Sequence, residues 1–141
     1  MGEEQTMMTG SWSTMLDGRR VWSGTVYGEP ASKANSRRIA VVGRGKYARR
    51  IIKSAKALAY AADFAKQVRT RVPGAQLRGR LRMTIRIFYR TERPDLDESL
   101  ILDLLQGRAY TNDRQVRERH VYHAIDRDHP RAEILLEEIG S

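Results

Sequence analysis

The chain has no cysteine, no long hydrophobic run and, over its central stretch, almost no acidic residue. Without cysteine there can be neither a disulfide framework nor a thiolate zinc site, which accords with a reducing compartment. No run of 18 apolar residues occurs, so a membrane-spanning helix is excluded. The opening residues MGEEQTMMTGSWSTM are acidic where a secretory signal would be basic, and they lack its apolar segment. Repeats and low-complexity tracts are missing too. What is left is a single domain of 141 residues, long enough to bury a core without covalent staples, with a cytoplasmic location expected.

The charge that is present is unevenly placed. From Lys33 to Arg93 there are 18 Lys and Arg against two acids, Asp63 and Glu92; the flanks carry 8 basic and 15 acidic residues. A segment of this sign points to a polyanion, because each neutralised phosphate releases condensed counterions. Charge alone fits a solubilising surface or a basic RNA-binding protein equally, and says nothing of catalysis.

Residues 1–18 show no period and read as a flexible leader, with one folded domain over 19–141. Arg20–Tyr27 reads as a strand stopped by Gly28-Glu-Pro30. Residues 31–46 read as a basic loop, interrupted by a short strand near Ile39–Val42. Ser54 is placed to cap a helix ending at Pro73-Gly74, with Leu58, Ala61, Ala62, Ala65, Val68 and Val72 as its apolar stripe. Leu81, Met83, Ile85, Ile87 and Tyr89 alternate with Arg82, Thr84, Arg86, Phe88 and Arg90, the period of a half-buried strand. A short helix with Leu96, Leu100, Ile101 and Leu104 inward follows and ends near Gly107. Val116–Ile125 fits a strand or a helix start, and Ala132–Ile139 a last strand. The fold class expected is α+β: a small mixed sheet with helices packed on it.

Asp95-Leu96-Asp97 follows the turn at Arg93-Pro94. Residues two apart on extended chain project to one side, so both carboxylates can face one point. Hard divalent cations take oxygen ligands, and Asp113, in Tyr110-Thr-Asn-Asp-Arg-Gln-Val116, is the natural third. Each aspartate alone is as readily a helix cap or a turn residue. His120 and His123 can share a metal only if their segment is helical.

Arg93-Pro-Asp-Leu-Asp97, the helix Leu100–Gly107 and Ala109–Val116 together resemble the RusA family of Holliday-junction resolvases, common in phages and prophages. Gly28-Glu-Pro30 with Lys33 and Asn35, and the closing Pro130–Glu137, are similar more loosely, so the resemblance runs over about residues 20–139. It implies a homodimer that nicks four-way DNA junctions with Mg²⁺ or Mn²⁺, held by Asp95, Asp97 and Asp113, in a bacterial or phage-infected cell. Three positions depart from the family pattern. Glu98 stands where asparagine is usual, Asn112 where a second aspartate is often found, and Ile101 where the family has a catalytic lysine, on a helix about two residues shorter. No lysine follows Lys66, so Arg93, Arg108, Arg114 or Lys33 would have to supply charge.

The reading is therefore a Mg²⁺-dependent endonuclease on branched DNA. Backbone phosphates would be met by Lys33, Arg37, Arg38, Arg44, Lys46, Arg82, Arg86 and Arg93, and neither a membrane nor a small-molecule substrate is involved. The alternatives are a junction-binding protein that has lost turnover, and a basic RNA-binding protein whose aspartates are caps.

Overall fold

The computed structural model describes residues 10–31, 37–41, 49–53, 55–68 and 76–140. Among the described residues seven strands and two α-helices follow in the order β1 (Gly10–Thr14), β2 (Arg20–Tyr27), β3 (Arg37–Val41), β4 (Arg49–Lys53), α1 (Ala55–Gln67), β5 (Arg80–Tyr89), α2 (Ser99–Leu105), β6 (Val116–Ile125) and β7 (Arg131–Gly140). Five strands form one sheet in the order β1-β2-β7-β5-β6, and β3 pairs with β4 alone. All pairings in the large sheet are antiparallel except β5 with β6. The expected mixed α+β architecture is what is observed.

The core lies on one face of this sheet. Register sets Trp22 beside Leu136 and Leu136 beside Met83, then Ile134 beside Ile85, and Val26 beside Ala132 beside Ile87. All are buried, together with Leu81 and Tyr89. Each large aliphatic side chain contributes about 1.5–3 kcal/mol by leaving water. The alternation in β5 thus emerges as read. The two helices cover this face, and among the described residues no helix covers the opposite face, which carries Arg82, Thr84, Arg86 and Phe88 of β5.

Helix α1 is turned differently from the stripe expected. Its buried residues are Ala57, Tyr60 and Phe64, continued by Val68, whereas Leu58 is 57% exposed and Ala62 and Ala65 face solvent. Two helical stripes compete on this segment, and the one with two aromatic rings wins because each ring removes 150–250 Å² from water, by rough measure. The rings of Tyr60 and Phe64 meet at 6.1 Å. Gly28 (φ +113°), donating its N–H to the Pro130 carbonyl at 2.8 Å, brings the chain off β2 past Tyr60. Only glycine adopts that backbone without strain.

Part of the supposed leader is structural. Residues 10–14 form β1, paired to β2 with Trp12 beside Trp22. Gly10 lies flat under the Trp22 ring, where a Cβ would come within 2.6 Å of three ring atoms. Residues 1–9 lie outside the described residues. β4 falls just beyond the basic segment read as a loop with one short strand.

β6 settles an open choice, since Val116–Ile125 is a strand. Being parallel to β5, it needs a crossover, and α2 is that crossover, burying Leu100, Ile101, Leu102 and Leu105. The pairing puts Arg119, Val121 and His123 on the helix side, and Glu118, His120 and Tyr122 on the uncovered side. His120 and His123 therefore face opposite ways and cannot share an ion.

Candidate active site

The Asp95–Asp97 turn hangs on the last side chain of β5. The Tyr89 hydroxyl donates to the Asp95 carbonyl and accepts from the Asp97 N–H, both at 3.2 Å. Burial pushes this hydroxyl above its ordinary pKa, and the negative charges of Asp97, Glu29 and Glu98 add to that against the Asp97 N–H bond. Tyr89 therefore remains a protonated donor across the physiological range. The Asp97 carboxylate accepts from the Ser99 N–H at 2.9 Å, an Asx turn leading into α2, while Asp95 is exposed. Tyr89→Phe is expected to lower stability by about 1 kcal/mol, the usual worth of such hydrogen bonds. Urea denaturation measures it, and an unchanged midpoint would show that the hydroxyl does not hold the turn.

Asp113 is presented by a second device, a 3-10 turn over Asp113–Gln115. The Asn112 side chain accepts from the Arg114 N–H at 2.9 Å, and the Gln115 side chain accepts from the N–H groups of Thr111 and Asn112, each at 3.0 Å. The Gln115 amide then donates to the carbonyls of Leu77 and Gly79, pinning the turn beside the start of β5. Gln106 accepts the Asp113 N–H at 2.9 Å, so the exposed Asp113 side chain is aimed by its backbone. Below it the buried Tyr110 hydroxyl donates to the Leu102 carbonyl at 2.7 Å. Burial raises its pKa first of all; Asp113 and Asp103 add to the rise, and Arg119 opposes it.

The two acidic corners are joined along α2, whose seven residues span about 10 Å. Arg119 stands between them, donating to Glu98 at 3.3 Å and lining, with Leu102, Asp113 and Val116, a cavity of about 220 Å³. Carboxylates are the right donors for a hard divalent cation. As placed, though, no group of three or more His, Asp or Glu side chains among the described residues is gathered to hold one.

The basic residues singled out in the sequence divide. Arg82 and Arg86 are on the uncovered sheet face, away from the aspartates. Arg82 is ion-paired with Glu118 at 2.9 Å and Glu137 at 3.9 Å, and Arg86 lies 5.3 Å over the Tyr122 ring. Arg93 is exposed in the turn after β5. Arg37 and Arg38 belong to β3, their side chains outside the described residues, as are Lys33, Arg44 and Lys46. Arg108 is occupied in holding the end of α2, donating to the Leu104 carbonyl at 2.7 Å and the Val68 carbonyl at 3.2 Å.

A family model described as endodeoxyribonuclease RusA matches residues 28–137. The chain belongs to the RusA family. The match takes in Tyr89, all three aspartates, α2 and the Gln115 turn, and it begins where β2 has ended, so β1 and β2 of this RusA-family chain lie outside it. A search of curated proteins gave no match. Among the described residues no helix is long and apolar enough to cross a membrane.

Tyr89, Gln106, Tyr110, Gln115 and Arg119 were not singled out as site residues from the sequence of this RusA-family chain. Gln115 had a legible signal, the Asn-x-x-Gln spacing of a capping box. Arg119 had none, since its place depends on the register of β6 against β5.

Proposed function

We propose that the chain is a metal-dependent, structure-selective endonuclease that nicks four-way DNA junctions, with Asp95, Asp97 and Asp113 as metal ligands. The observation that carries this reading is the pair of devices spent on presenting those aspartates, the Tyr89 hydroxyl and the Gln115 staple, inside the family-matched block. When bound, Mg²⁺ or Mn²⁺ would polarise the scissile phosphate and activate water. The chain's own part is to hold the aspartate turns at the two ends of α2 and to neutralise DNA phosphates. Lys33, Arg37, Arg38, Arg44, Lys46 and Arg93 do the latter. A second reading, a junction-binding protein without turnover, is favoured by one fact: the described carboxylates are not gathered into a ligand set.

The uncovered sheet face suits a second copy better than a polyanion. It carries Arg82, Arg86 and Arg131 against Glu118, Glu133 and Glu137, a balanced set that a two-fold axis can cross-pair. We therefore assign the homodimer contact to this face.

The test uses an end-labelled four-way junction beside linear duplex and flap DNA, with Mg²⁺, Mn²⁺ or chelator, and sedimentation of the same preparation. Symmetric, metal-dependent nicks confined to the junction, made by a species of dimer mass, are expected. Equal cutting of duplex would remove the structure selectivity. Tight junction binding without a cut under either metal would establish the second reading, and a monomer mass would remove the dimer.

A further inference from the structure

We propose that the Arg119 guanidinium binds the scissile phosphate between the two acidic corners, an inference that rests on the nuclease reading above. A phosphodiester approaching Asp97, Glu98, Asp103 and Asp113 meets like charge, and beside any bound metal ion a cationic side chain among them would help to hold it. Arg119 is in that place. Register against Met83 turns it to the helix side of β6, at the open edge of the sheet. There it shares the cavity with Asp113 and reaches Glu98 at the other end of α2.

Its present partner is exchangeable. The bond to Glu98 is single and long, and the arginine side chain is 51% exposed, the kind of ion pair whose net worth in water is small. A phosphate offers the same guanidinium a two-pronged partner. Other arginines near α2 are placed elsewhere: Arg108 closes the end of α2, and Arg114 lines a different cavity with Gly79, Arg80, Gln115 and Arg117. An arginine stays protonated, so Arg119 would stabilise charge on the phosphate oxygens and would not relay a proton.

The test is single-turnover cleavage of a saturating four-way junction by the full chain carrying Arg119→Ala, Arg119→Lys or Glu98→Gln. Junction affinity is measured in parallel with Ca²⁺ in place of the activating metal. Arg119→Ala is expected to lower the cleavage rate about 100- to 1,000-fold, the range for loss of one charge-stabilising donor, with affinity changed less than about threefold. Arg119→Lys should recover part of the rate. Sub-denaturing guanidinium chloride should restore Arg119→Ala where sodium chloride at equal ionic strength does not. Glu98→Gln, which also breaks the ion pair, should change the rate less than about tenfold. The proposal is overturned if Arg119→Ala cuts within about threefold of the parent chain. It is overturned equally if guanidinium fails to rescue, or if Glu98→Gln loses as much as Arg119→Ala, which would make the pair a structural tie. A parent chain that cuts no DNA under either metal overturns the nuclease reading itself, and this inference with it.

Discussion

Asp97→Asn and Asp113→Asn are each expected to reduce single-turnover nicking of a four-way junction at least about a thousandfold, equivalent to roughly 4 kcal/mol of transition-state stabilisation. Stability should hardly move. Asparagine has the size of aspartate, and its carbonyl oxygen can still accept the Ser99 N–H that Asp97 now accepts, so α2 keeps its start. Asp113 is exposed and its turn is held by backbone groups, Asn112, Gln106 and Gln115, none of which the substitution touches. Junction affinity should be equal or somewhat tighter, because each variant removes one negative charge from a surface that must approach phosphate. If the aspartates serve only as cap and turn residues, the same variants will nick at the parent rate, and the metal-ligand assignment fails. The contrast is clean because the two accounts agree on stability and part only on rate.

How much of this could be read in advance depended on whether a feature was local. β2, Arg20–Tyr27, spans the β-branched and aromatic residues from Val21 to Tyr27, and β5 follows its alternation. Both signals need only neighbouring residues. The buried face of α1 was misjudged because a chain rich in alanine supports two overlapping helical stripes. Volume decides between them: Phe64 and Tyr60 pack on the sheet, while Leu58 goes to solvent. β1 escaped notice since Gly10-Ser-Trp-Ser-Thr14 is short and polar, and its strand exists through pairing with β2 and the Trp22 ring over Gly10. The aspartates were legible as candidates only in company, as three separate pieces of a pattern in order. How they are held was legible only in part, in the Asn-x-x-Gln spacing of the Asp113 turn. Tyr89 reaches Asp95 and Asp97 across a turn, Gln115 reaches Leu77 and Gly79 across some 36 to 38 residues, and Arg119 meets Glu98 only through a parallel strand register.

The same distinction makes Ile101→Lys a severe change to the fold. By position it looks like a repair, since the family places its lysine there, and an enzyme that lacks one could be expected to gain from it. Ile101 is fully buried in α2, with Leu100, Leu102 and Leu105 around it on the crossover between β5 and β6. The substitution forfeits the burial of an isoleucine, about 1.5–3 kcal/mol. It also asks an ammonium group either to lose its proton in the core or to pull α2 off the sheet. Together these cost roughly 4–5 kcal/mol, a large part of the 5–15 kcal/mol that holds a domain of this size. A melting temperature lower by roughly 15 °C is expected, with no gain in nicking at any temperature where the variant is folded. A variant that melts with the parent chain and nicks faster would mean that position 101 faces the phosphate and that α2 is seated otherwise than described. Loss of stability without gain of rate would instead fix the short α2 as a packing element. Positive charge at the phosphate would then come from outside α2, the role proposed above for Arg119 on β6.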